Sequence, residues 1–186
     1  MTDSGRGTSC RGESVTFTPK PKAEFRRVYV WDPLPKLNPT RLSLAHHEAG
    51  HVVFLEWMGL GCQSAEIGPS GGLTHFPKRN SEAPKPAPDP SGVNTATGAA
   101  LFHAGVVAEL LHQGHTLRHG PVRYRADDFQ RAEMMLAEVF GAHRSGAHFY
   151  AQKFAEHVLK SRWARVQEVA QHLDENGWVG RSKIEV

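Results

Sequence analysis

Apolar residues recur at helical spacing between Thr40 and Met58, where Leu44, Ala45, Ala49, Val52 and Leu55 form one stripe and Gly59 and Gly61 supply a stop. Pro39-Thr40 marks the entry to this helix. Upstream, Arg27 to Trp31 (RVYVW) has the β-branched and aromatic content of a strand. Ser64 to Phe76 (SAEIGPSGGLTHF) reads as two short extended pieces around a glycine-rich turn, which predicts a small hairpin or edge strand. Thr97 is placed to cap a second helix running through His112. Asp127 opens a third through Gly141, with Phe129, Ala132, Leu136, Val139 and Phe140 on one face. Residues 145–160 and 161–176 carry Phe149, Phe154, Trp163, Val166, Val169 and Leu173 at helical spacing, and Gly177 ends the last helix. There is no internal repeat. The pattern predicts a mainly α fold with a small β hairpin or edge strand.

Composition changes this picture at the ends and in one internal segment. Residues 1–24 are rich in Gly, Ser, Thr, Lys and Pro without periodicity and are expected to be a disordered basic arm. Residues 77–94 hold five prolines and almost nothing apolar, the composition of an exposed loop inserted into a single domain spanning 25–186. At 186 residues one core suffices, because a chain of this length buries about two thirds of its unfolded surface. The net charge is +3, and residues 1–37 hold seven Lys/Arg against four Asp/Glu, with fifteen of each in the remainder. Such a balance offers no broad basic face to a nucleic-acid backbone. Cys10 and Cys62 are too few for a disulfide framework and lack C-x-x-C spacing. With no secretory apolar core and no membrane-length apolar stretch, the expectation is a cytoplasmic protein without a membrane partner.

The helix over residues 40–58 carries His47-Glu48-Ala49-Gly50-His51, the pattern H-E-x-x-H. Positions four apart lie on one helical face a turn apart, so two imidazoles there can grip one cation while Glu48 sits beside an open coordination position. Burying two histidines and a glutamate against an apolar face without a ligand is costly, and a cation satisfies all three. Spacing alone does not fix the third ligand. A metzincin would carry glycine and histidine where this chain has Phe54 and Trp57, which excludes that class. Glu66, Glu109, His112, His115, His119, Asp127 and Asp128 remain. Of these, His112, His115 and His119 surround Gly114 and Gly120 in an expected loop and read as solvated histidines rather than a second metal site.

Ala45 to Val53 (AHHEAGHVV) closely resembles the AYHEAGHAVV signature of the peptidase domain of FtsH-type ATP-dependent zinc proteases. Gly71 to Phe76 (GGLTHF) is similar to that family's short substrate-side strand, LGYTMF, and Ala104 to Gly114 (AGVVAELLHQG) aligns without a gap with GGRAAEELIFG. Ala126 to Ala132 (ADDFQRA) resembles the S-N-D-L-x-R-A segment, and Trp178-Val179-Gly180 the C-terminal end. The resemblance implies a zincin-like helical metallopeptidase domain over about residues 40–186. It implies one Zn²⁺ per chain held by His47, His51 and Asp128, with Glu48 as the general base that takes a proton from zinc-bound water. Adjacent helical positions point about 100 degrees apart, so Asp127 is then the helix cap rather than a ligand. Glu109 becomes a residue orienting one histidine from behind. Gly72, Leu73, Thr74 and His75 form the strand on the substrate side.

The chain also departs from the family. No G-x-x-x-x-G-K-[ST] occurs, so the expected activity is ATP-independent hydrolysis of peptide bonds in flexible or unfolded polypeptides. A separate ATPase partner or a homo-oligomer would extend that range. Ala104 stands where the family has a paired glycine and Leu110 where it has a paired glutamate. The alternative from another class is a non-catalytic, zinc-stabilised adaptor or regulatory module, against which a retained Glu48 argues because a structural site has no use for a base.

Overall fold

In the computed structural model, residues 25, 27–76, 89, 91–124 and 126–180 are described. The expected arm at 1–24, residues 77–88 and 90 of the proline-rich segment, and Cys10 lie outside them. The elements run α1 (Arg41–Trp57), β1 (Ser64–Gly68), β2 (Gly71–His75), α2 (Val93–His112), α3 (Asp127–Phe140), a 3₁₀ turn (Gly141–His143), α4 (Arg144–Ser161), α5 (Trp163–Asn176) and β3 (Trp178–Gly180). The fold is mainly helical with a three-stranded antiparallel sheet of order β2-β1-β3.

Helix α1 starts where the sequence supplies a cap: Thr40 is extended and its hydroxyl accepts from the Ser43 N–H at 3.0 Å. It ends where Gly59 takes a φ of 69°. The sequence predicts one apolar stripe, but from Ala45 to Leu55 every residue except His47 is buried. The reason is position: α1 packs against α2, α4, α5 and both hairpin strands, so it has no solvent face along that stretch. Gly50 makes the crossing with α2 possible, because a Cβ there would stand 2.8 Å from the Ala108 Cβ and against the Ala104 carbonyl.

Helix α2 begins at Val93, four residues before Thr97. Asp89 accepts from the Thr95 N–H at 2.9 Å and the Thr95 hydroxyl at 3.1 Å, and Gly92 turns the chain at a φ of 71°. The cap comes from the loop, so Val93 and Asn94, expected in the proline-rich loop, are helical. Burial alone would raise the Asp89 carboxyl, but these bonds hold it below its ordinary value.

Helix α3 buries Phe129, Ala132 and Leu136, while Val139 is exposed. Phe140 takes the inward position instead, with its ring 4.8 Å from Phe25 and against Gly92. Asp127 is the first helical residue and makes no capping bond; the cap position belongs to Ala126. Arg27 to Trp31 is not a strand. Its neighbours are α4 and the segment before α3, so Tyr29 donates its N–H to the Ser145 hydroxyl at 3.0 Å, and only Asp32 forms an isolated bridge, to Val122. β3 is a strand the pattern did not predict; it pairs Val179 with Ala65 and Trp178 with Glu66. Among the described residues no helix is long and apolar enough to cross a membrane.

Candidate metal centre

Helix α1 presents His47 and His51 toward α2, and the first turn of α3 brings Asp128 to meet them. The Asp128 Oδ2 atom stands 3.4 Å from His47 Nε2 and 3.2 Å from His51 Nε2. These three side chains form a group that could hold a metal ion, with one donor atom from each lying within 4.8 Å of the others. Asp127, next to Asp128, is exposed and takes no part.

The partners on the far side of each ring decide which nitrogen faces the centre. The His51 Nδ1–H donates to the Leu101 carbonyl at 2.9 Å, and the His47 Nδ1–H donates to Glu109. Both bonds engage Nδ1 and turn Nε2 toward Asp128, so Nε2 is the atom that would exchange its proton for a metal ion. Gly105 clears the space, because a Cβ on it would run into His47 Nε2 and lie 2.6 Å from His51 Nε2.

The electrostatics point the same way. Burial disfavours a charge on His47, yet its hydrogen bonds to Asp128 and Glu109 and the charge of Glu48 outweigh that and push it up to about 10. Burial would raise the Asp128 carboxyl, but the two imidazoles hold it well below the usual carboxylate range. Three carboxylates around two imidazoles create a field that favours a positive charge, whether a proton or a cation.

Glu48 is 4% exposed and points to the sheet. The Thr74 hydroxyl donates to its Oε2 at 2.6 Å, and Gly72 lies flat against the carboxylate. The four residues expected as a substrate-side strand therefore divide by strand alternation: Gly72 and Thr74 turn inward to Glu48, and Leu73 and His75 turn outward. His75 pairs with Glu66 at 3.4 Å on the outer face, so Glu66 is no ligand. Nor is His112 a solvated loop residue. It ends α2, half-buried, with its ring stacked on His46 at 3.8 Å. His115 is half-buried and His119 exposed, and neither joins the metal group.

Sequence reasoning missed Gly105, the Leu101 carbonyl and the bond from Thr74 to Glu48. Only Gly105 left a signal, as a glycine in mid-helix, which costs about 1 kcal/mol unless packing requires it. The chain matches no family model and no curated protein.

Proposed function

We propose that this chain is a zinc-dependent endopeptidase of the FtsH-peptidase type, acting on flexible or unfolded polypeptides in the cytoplasm without a nucleotide-binding motif of its own. The observation that carries the reading is the convergence of His47 Nε2 and His51 Nε2 on Asp128, with Glu48 interleaved between the histidines on the same helix. Tetrahedral zinc ligands about 2.0–2.1 Å from the ion stand roughly 3.3–3.4 Å apart, and the His–Asp separations of 3.4 and 3.2 Å match that edge. Two imidazoles and one carboxylate are also the donor set of catalytic rather than structural zinc sites, leaving one position open. Four of the ordered motifs that resemble the family, those of α1, β2, α2 and α3, meet at one place in the fold, which supports the family assignment.

His47, His51 and Asp128 would hold the ion. Zinc supplies Lewis acidity there, polarising a carbonyl and acidifying water. Glu109 fixes the His47 tautomer and the Leu101 carbonyl fixes that of His51. Glu48 accepts the proton of the attacking water and returns it to the leaving amine as the peptide bond breaks.

Metal analysis and casein cleavage with and without chelator test this directly. Glu48→Gln keeps shape and size but removes the base, so it should retain zinc and fold while losing about a hundredfold or more in turnover. Equal residual cleavage in wild type and Glu48→Gln would instead assign the chain to the non-catalytic module.

A further inference from the structure

Glu48 occupies a slot made by two inward positions of β2. Thr74 holds Oε2 at 2.6 Å, and the backbone of Gly72 lies so close to Oε1 that a Cβ would overlap it and stand 2.7 Å from Cγ. No other hydrogen bond reaches the carboxylate from the described residues, so Oε1 has no partner there. Among the described residues, one oxygen is anchored and the other is left without a hydrogen bond.

We infer that Thr74 is a positioning residue for Glu48, its hydroxyl fixing the carboxylate orientation that leaves Oε1 free to exchange a proton. This rests on the peptidase reading above and assigns to Thr74 a role other than contact with substrate. An aliphatic side chain of the same shape at position 74 would leave Oε2 desolvated without a donor, and the carboxylate would rotate to find one. A base displaced by about 1 Å loses rate on the order of tenfold to a hundredfold, because the near-attack geometry is lost while substrate contacts remain. Gly72, two residues away on the same face of β2, leaves the room that this pose needs.

The test compares Thr74→Val, Thr74→Ser and wild type in the full chain loaded with zinc. Thr74→Val should keep one zinc per chain and KM within about twofold while kcat falls about tenfold or more. Thr74→Ser, which restores the hydroxyl but not the methyl, should recover most of kcat. A denaturant double-mutant cycle between Thr74→Val and Glu48→Ala supplies a readout independent of activity and should be non-additive. Wild-type kcat in Thr74→Val, a serine variant as slow as the valine variant, or an additive cycle each overturn the assignment. Absence of chelator-sensitive cleavage in the wild type overturns the peptidase reading and the positioning role together, whereas an additive cycle in an active wild type removes only the role of Thr74.

Discussion

At Gly105 two residue-scale effects have opposite signs. Alanine there removes a mid-helix glycine, which by propensity alone stabilises α2 by about 1 kcal/mol. The same methyl enters the space of both imidazoles, with His51 Nε2 2.6 Å away. The rings must move to make room, and their Nε2 atoms cannot then both face Asp128. Gly105→Ala is therefore expected to fold while binding zinc at least about tenfold more weakly, the scale seen when the support of a metal ligand is disturbed. Competition against a chromophoric chelator measures this, and unchanged affinity would show that the imidazoles do not depend on the bare backbone. Of the group that could hold a metal ion, His47 and His51 were legible from their spacing on one helix, whereas Asp128 was legible only through the family resemblance, since spacing left the third position open. Thr74 was assigned to the strand but not to Glu48, since no local spacing links positions separated by a turn and two strands.

At the scale of elements, the boundaries that were legible are those whose caps sit beside them in sequence. Thr40 precedes α1 directly, and Gly177 follows α5 with a φ of 78° and its N–H on the Leu173 carbonyl at 2.8 Å. The start of α2 was not legible because its capping acceptor, Asp89, lies outside the helix in a proline-rich segment and reaches Thr95 across six residues. β3 escaped for a related reason: three residues carry no period, and its partner Glu66 is remote in sequence. If Asp89 is the cap, Asp89→Ala should cost about 1 kcal/mol and fray Val93 to Ala96 first. Urea unfolding with site-resolved hydrogen exchange checks both, and intact protection of that turn would show that the helix starts at Val93 without help from Asp89.

Across the whole molecule, α2, α3 and α4 meet around a buried polar chain. His103 Nδ1 and the Tyr124 hydroxyl share a hydrogen bond at 2.9 Å, His103 Nε2 and His148 Nδ1 share another at 2.9 Å, and His148 Nε2–H donates to Glu133 at 2.7 Å, with Arg144 on the other Glu133 oxygen; the Tyr124 hydroxyl also has the Phe102 carbonyl at 3.2 Å. Burial, then the neighbouring ring, pushes His103 well below the ordinary 6.5. Burial likewise lowers His148 against the pull of Glu133, with Arg144 and Arg123 adding to the lowering. Asp128 and His51 act on His103 from farther off. Below about pH 6.5 the unfolded chain therefore binds protons that the folded chain refuses, so stability falls as pH drops. The urea midpoint should decrease between about pH 7.5 and about pH 5.5, and less steeply in His148→Gln, which can still bridge His103 and Glu133. Equal slopes in the two proteins would remove this pair from the titration.

Helices α1 and α3 each pack along α2 and have little direct contact with one another. His47 and Asp128 are 81 residues apart in the chain, so an ion shared between them is a removable cross-link closing a long loop. A covalent bridge across such a loop restricts the unfolded chain by roughly 4–5 kcal/mol, which sets the scale for a metal clasp that binds only the folded form. Stripping the ion should then lower the urea midpoint and speed hydrogen exchange in Asp127–Phe140 well before it affects Arg41–Trp57, whose burial does not depend on the clasp. Loading zinc would be the event that fastens α3 to the rest of the molecule, which makes metal supply a control on how long the folded chain survives proteolysis.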